Sequence, residues 1–277
     1  MPHVRPHSSF FAIYLGVMLV GLVASKQFAW GLFYAGFLVW LLWADARFAS
    51  RPTRRALVVV CATLAIGMNI FFQVMRYSVP AVRTSRYDGA LYAIDLDVFG
   101  MSPNVWADRF AAPWLTELLS VAYMFFMLLL FINLVRYFFF DEQLLERFYA
   151  GLFTVYGLGF LGYFLVPAAG PYLAHAEIFD RPLTGYALAK ANEAMVLAGS
   201  SRVDVWPSLH VAVSAFILGH LARYHRREAK LLAVPVALLW CSTIYLRYHY
   251  VADVVCGFAL ALFALWVQKR YKPLAEI

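Results

Sequence analysis

Eight runs of mostly apolar residues succeed one another along the chain, at 8–25, 27–44, 56–75, 113–135, 148–166, 207–221, 231–246 and 250–267. Each run is continuous rather than alternating, which predicts helices and argues against the period-two pattern of a membrane barrel. A helix of about 17–25 apolar residues crosses the hydrocarbon core of a bilayer. The pattern therefore predicts an all-α fold, a polytopic membrane helix bundle of about eight spans. The first two runs are close enough to form a tight hairpin. With the basic stretch after them they are expected to make an N-terminal unit over 1–55, leaving a six-span core at 56–277.

Two long connections interrupt the apolar runs, at 76–112 and 167–206. The first reads RYDGALYAIDLDVFGMSPNVWADRFAAPW from Arg86, setting Asp88, Asp95 and Asp97 among aromatic and aliphatic residues before Pro103 and Pro113. That mixture predicts short interfacial helices that shape or roof something. The second carries His175, Arg181, Lys190 and Arg202, all able to bind phosphate, although each alone reads equally well as a solvated loop charge.

Composition agrees with a membrane protein: 63% of residues are apolar, 18% aromatic and only 14% charged, against about a quarter charged in soluble domains. The net charge of +7 is distributed unevenly. Arg47, Arg51, Arg54 and Arg55 follow the second run, Arg223, Arg226, Arg227 and Lys230 the sixth, and Lys269, Arg270 and Lys272 the eighth. By the positive-inside rule these segments and both termini are cytoplasmic, and the two long connections face the other side. This accounts for the basic charge without a nucleic-acid partner. No cleavable leader is expected, because Lys26 and then another span follow the first run. Cys61, Cys241 and Cys256 all fall in predicted spans without metal or disulfide spacing, and read as small buried apolar residues.

The chemistry concentrates at two places. RVDVWPSLHVAVSAF, from Arg202, puts Pro207, Ser208 and His210 where a loop enters the sixth run, and YLRYHYVADVVCGF, from Tyr245, puts His249 and Asp253 at the mouth of the eighth. The topology brings both histidines to one face at one depth. Pro207 suits a first helical turn, so Ser208 and His210 are expected in that turn, where free N–H groups and the helix dipole favour an anion. His249 and Asp253 are four apart, so one helix face would let the carboxylate bind an imidazole nitrogen and fix its tautomer. An aspartate within an apolar run is costly unless it has a partner. His3, His7, His220 and His225 read instead as structural.

Two histidines, one backed by a carboxylate, beside arginines suit nucleophilic substitution at phosphorus. A zinc or iron site is the rival use of such residues, but basic neighbours favour an anion over a second cation. No metal or cofactor is expected.

These segments resemble the type 2 phosphatidic acid phosphatase superfamily, whose members carry P-S-G-H and S-R-x5-H-x3-D across six membrane helices. The counterparts are Pro207-Ser208-Leu209-His210 and Ser242-Thr243-x5-His249-x3-Asp253. Of a third motif, K-x6-R-P, Arg181-Pro182 is present but Ala174 stands for the lysine, and Thr243 stands for the second motif's arginine. These departures resemble the branch with inositol phosphorylceramide synthase and sphingomyelin synthase. The resemblance implies His249 as nucleophile, Asp253 as its orienting carboxylate, His210 as acid and then base, and Ser208 on the phosphate. Arg247, then Arg202, then Arg181 are the candidates to replace the missing cations.

The expectation is an integral membrane enzyme acting on phosphorylated lipids through a phosphohistidine. Transfer of a phospho-headgroup from a phospholipid to a lipid hydroxyl acceptor is favoured over hydrolysis of phosphatidic acid or polyprenyl phosphates. A proton-coupled lipid transporter, with His249 and Asp253 as relay, is the alternative without covalent chemistry.

Overall fold

The computed structural model describes residues 6–51 and 53–271; His3 and Lys272 lie outside the described residues. The chain is helical, and the eight apolar runs correspond to α1 (Pro6–Ala24), α2 (Phe28–Ser50), α3 (Arg54–Val82), α6 (Pro113–Phe139), α7 (Glu142–Leu165), α10 (Leu209–Tyr224), α11 (Arg226–Tyr245) and α12 (Val251–Arg270). Among the described residues, six of these are long and apolar enough to span a membrane, whereas the apolar stretches of α1 (Ser8–Ala24) and α10 are shorter. The long connections hold the expected short helices: α4 (Asp88–Phe99) and α5 (Pro103–Ala107) in the first, α8 (Pro171–Ala174) and α9 (Ala187–Gly199) in the second.

α7 is the axis of the bundle: 83% of its apolar stretch is buried, against 22–44% for the other five long spans. It packs against α1, α10 and α12. One hydrophobic cluster runs from Phe11 and Tyr14 through Phe71 and Phe160 to Phe216 and Ala264, so the first two helices share the core of the rest. Several polar groups inside the bundle are paired, as hydrocarbon favours, although the Tyr137 hydroxyl and His220 Nε2 are not. The hydroxyl of Tyr14 lies 3.1 Å from that of Tyr34, which lies 2.9 Å from Ser78 Oγ. Trp40 donates to Thr63 at 3.0 Å, and Ser8 to Asp45 at 2.8 Å.

The cysteine expectation needs correction. Cys61 is buried and Cys256 half-buried, but Cys241 is exposed on the outer surface of α11, where lipid rather than water is the solvent of a membrane bundle. At the end of the bundle away from the long connections, Arg136 pairs with Glu228, and His225 sits 3.3 Å from Asp141. His220 is buried against Phe148 and bonded to Gln268. Both histidines are thus built into packing between helices.

Candidate active site

Helix α10 starts two residues later than the proline suggests. Leu209 is its first residue and Ser208 is the N-cap, accepting from Val211 N–H, so Pro207 precedes the helix and Ser208 caps its first turn instead of lying within it. The cap leaves His210 at the second helical position. α12 meets this turn closely. Ser208 N–H donates to the Asp253 carbonyl at 3.1 Å, and a Cβ on Gly257 would lie 2.6 Å from Ser208 O, a contact that excludes any other residue there.

His249 and Asp253 do not share a helix face, which corrects the second expectation. α12 begins at Val251 with Tyr250 as N-cap, so His249 belongs to the preceding turn and Asp253 to the third helical position. They still meet, because Asp253 closes the helix end. Its Oδ2 accepts from Tyr250 N–H at 2.7 Å while its Oδ1 accepts from His249 Nδ1 at 2.8 Å. One carboxylate therefore caps the helix and fixes the imidazole tautomer. His249 Nε2 then lies 3.4 Å from His210 Nδ1 and 3.5 Å from Ser208 Oγ. Asp253 is wholly buried, and His249 is 2% exposed.

The three candidate arginines are placed differently from one another. Arg247 takes a left-handed backbone conformation (φ 65°), uncommon for a non-glycine residue. Its guanidinium is already engaged: it donates to both carboxylate oxygens of Asp108, with distances of 2.9–3.1 Å, and to Arg181 O at 2.9 Å, and covers the Phe179 ring at 4.0 Å. Arg181 is exposed and donates to Asp108 O. Arg202 is exposed, also in the left-handed region (φ 60°), with its carbonyl held by Arg86. Arg181 and Arg247 border a cavity of about 630 Å³, beside Tyr172, Lys190, Glu193 and Tyr248.

Several residues that motif reading did not single out hold this arrangement. Asn104 donates to the carbonyls of Ile244 and His249 at 2.8 and 3.0 Å, fixing the turn that carries the histidine. Asp95 accepts from Val251 and Ala252 N–H at 2.8 and 2.9 Å, giving α12 a second cap from α4. Burial pushes the Asp95 carboxyl up, with these two bonds pulling against it. Asp88 accepts from Ala169 and Gly170 N–H and from the Tyr250 hydroxyl. Gly170 needs its positive φ of 89°, and a Cβ there would lie 2.3 Å from Tyr248 O. Tyr123, on α6, packs at a tilt on His210 at 4.5 Å between ring centres, with its hydroxyl 3.4 Å from Nδ1. The aspartates of an otherwise aromatic loop were the one legible signal for these roles.

Residues 90–267 match the family model of the PAP2 superfamily. The chain belongs to that superfamily. The match spans α4 to α12, including every residue of the histidine site. A curated relative, the phosphoinositol dihydroceramide synthase of Bacteroides thetaiotaomicron, is 26% identical over 254 residues, covering 81% of this chain and 80% of its own. No solved structure gives a significant match. Family and relative together make this PAP2 protein a membrane enzyme of lipid phosphates, a phosphotransferase or a phosphatase.

Proposed function

We propose that this PAP2 protein transfers a phosphoinositol-type headgroup from a phosphodiester lipid to the hydroxyl of a long-chain lipid, by way of a phosphohistidine on His249. The observation that carries the reading is the contact of His249 Nε2 with His210 and Ser208 while Nδ1 is held by Asp253. With its proton on Nδ1, the imidazole presents a lone pair at Nε2.

Phosphorus held about 3–3.5 Å from that nitrogen is in attack geometry. Attack forms the Nε2–P bond and breaks the bond from phosphorus to the diacylglycerol oxygen. The electron pair leaves with that oxygen, which takes a proton from His210. The acceptor hydroxyl then gives its proton to His210, its oxygen bonds to phosphorus, and the N–P bond breaks to restore His249. Asp253 stabilises the charged ring as it forms, and Ser208 with the first-turn N–H groups of α10 meets the phosphate oxygens.

Two points support transfer over hydrolysis. The nucleophile is almost closed to solvent, which disfavours water as acceptor, and the relative is named as a synthase. The basic ends of α2, α10 and α12 lie opposite the histidine site, so the positive-inside rule supports an extracytoplasmic site with both termini cytoplasmic. On this reading α3 to α12 form the catalytic unit and the α1–α2 hairpin is an addition packed onto it.

The test incubates purified protein with phosphatidylinositol, phosphatidic acid or polyprenyl phosphate, with and without ceramide or diacylglycerol. Product that appears only with an acceptor, and is lost in His249→Ala, is the expected result. Free phosphate released from a monoester without acceptor would replace the reading by a phosphatase.

A further inference from the structure

The cavity beside the histidine site is built rather than incidental. One wall is α9, held at both ends by distant parts of the chain. At its N-terminus Glu117 of α6 accepts from the backbone N–H groups of Tyr186, Leu188 and Ala189 at 2.8–3.0 Å. At its C-terminus Arg76 of α3 donates to the carbonyls of Ala198 and Ser200 at 2.7 and 2.6 Å. Between these pins, α9 turns Lys190 and Glu193 to the cavity. The other side is formed by Tyr172, Ser120, Arg181, Arg247 and Tyr248.

This space adjoins the histidine site through Tyr248, which lines it and packs on Tyr123 at 4.8 Å, and Tyr123 packs on His210. Tyr172, which lines the cavity, has a buried hydroxyl with the Ser200 side chain beside it but no partner in full hydrogen-bond geometry, and behind the wall Asn192 Oδ1 is also unpaired. Asn192 is 1% exposed, and its Nδ2 is fixed on the Tyr248 hydroxyl at 3.1 Å. Burial pushes the Tyr172 hydroxyl up to about 12, so it remains a donor across the physiological range. A buried polar group left unpaired is costly, and the cost is recovered when a ligand supplies the partner.

The chemistry of the lining selects among headgroups. The lining is mixed: Phe179, Leu183, Leu197 and Leu246 give it apolar patches, but an acyl chain would leave Tyr172, Arg181, Lys190 and Glu193 without partners. A quaternary ammonium does not suit a lining with three cations, and the aromatic face that Phe179 would offer is covered by Arg247. Bare phosphate would not use Glu193, whose carboxylate repels an anion but accepts from a neutral hydroxyl, and Tyr172 can donate to either. At about 630 Å³ the space is within the range of small-molecule sites.

We propose that this cavity is the recognition site for a ring polyol carried on the transferred phosphate, read by Tyr172, Lys190 and Glu193. The proposal rests on the headgroup-transfer reading above for its ligand class. It adds the residues that choose the headgroup.

The test uses binding, so it is independent of turnover. His249→Ala protein in detergent is titrated with inositol 1-phosphate, glycerol 1-phosphate and inorganic phosphate. The inositol ester is expected to bind at least about tenfold more tightly than the glycerol ester. Tyr172→Phe, and separately the surface pair Lys190→Ala with Glu193→Gln, should each reduce that preference by about three- to tenfold. Inorganic phosphate should bind them as it binds the parent. Equal affinity for the two esters, or a preference untouched by both variants, overturns the proposal. Ring-selective binding in a wild-type enzyme that only hydrolyses monoesters would sink the transfer reading and leave this one standing. Acceptor-dependent transfer with an insensitive cavity would do the reverse.

Discussion

Replacing Asp253 by asparagine changes almost no volume but inverts the proton order of the site. The carboxylate is wholly buried, with one oxygen on Tyr250 N–H at 2.7 Å and the other on His249 Nδ1 at 2.8 Å. An amide must turn its oxygen to Tyr250, since its NH2 there would face another donor. The NH2 then meets His249 Nδ1, which has to accept, and the ring proton moves to Nε2. That is the nitrogen 3.4 Å from His210 on which attack depends. A protonated Nε2 has no lone pair for phosphorus. The same tautomer error in a Ser-His-Asp triad lowers kcat by about 10⁴, or about 5.4 kcal/mol of barrier at about 1.36 kcal/mol per decade. Because both hydrogen bonds survive, the melting temperature in detergent should stay within a few degrees of wild type. The assay is the initial rate of acceptor-dependent headgroup transfer beside a melting curve on the same preparation. An Asp253→Asn enzyme keeping more than about a tenth of wild-type rate would refute the tautomer argument.

Three further substitutions probe the scaffold. Asp108→Ala strands the Arg247 guanidinium, 7% exposed, without its carboxylate. A loss of about 3–5 kcal/mol in unfolding free energy is expected, with much of it returned by adding Arg247→Met; a cycle showing additive effects would disprove the coupling. Asn104→Leu removes the donors on the Ile244 and His249 carbonyls, which should cost about 1–3 kcal/mol per stranded group and lower kcat more than KM is raised, as steady-state kinetics would report. Asp95→Ala deletes a cap from another helix at Val251 and Ala252. About 1 kcal/mol of stability should go with it, seen as a lower melting temperature and faster amide exchange in the first turn of α12.

The bundle was readable because a hydrocarbon solvent leaves a continuous signature: every apolar run marks a helix whatever it packs against. The central position of α7 left one trace in the sequence, its four glycines at 151, 157, 159 and 162, where a Cβ would run into Phe216, Phe10, Leu209 and Pro207, but hydropathy alone does not separate it from the other spans. The short helices between spans were legible from Asp88, Asp95 and Pro103 set among aromatics. Their task was not. Asp95 reaches backbone N–H groups more than 150 residues away, and a side-chain bond to a distant main chain imposes no spacing on either partner. The offsets at Pro207 and His249 have one origin. Helical periodicity was extended across residues that are in fact caps, Ser208 on α10 and Tyr250 on α12, and Asp253 serves both the cap and the ring only because His249 lies outside the helix.

The arginines carry the argument one step beyond the motifs. The superfamily's lysine and arginine positions are occupied here by Ala174 and Thr243, and the nearby Arg247 spends its charge on Asp108. Fewer uncommitted cations around the histidines means less compensation for a doubly charged phosphate monoester. A phosphodiester carries one negative charge and needs less, and its second substituent must be housed somewhere. On the proposal above, the cavity lined by Tyr248 houses it, with Arg247 fixed at its edge by Asp108 and Phe179. On this view the arginine displaced from the motif has become part of a wall that admits a larger headgroup. On the headgroup-transfer proposal, the absent cations and the neighbouring cavity have one rationale, a singly charged phosphate whose second substituent needs room.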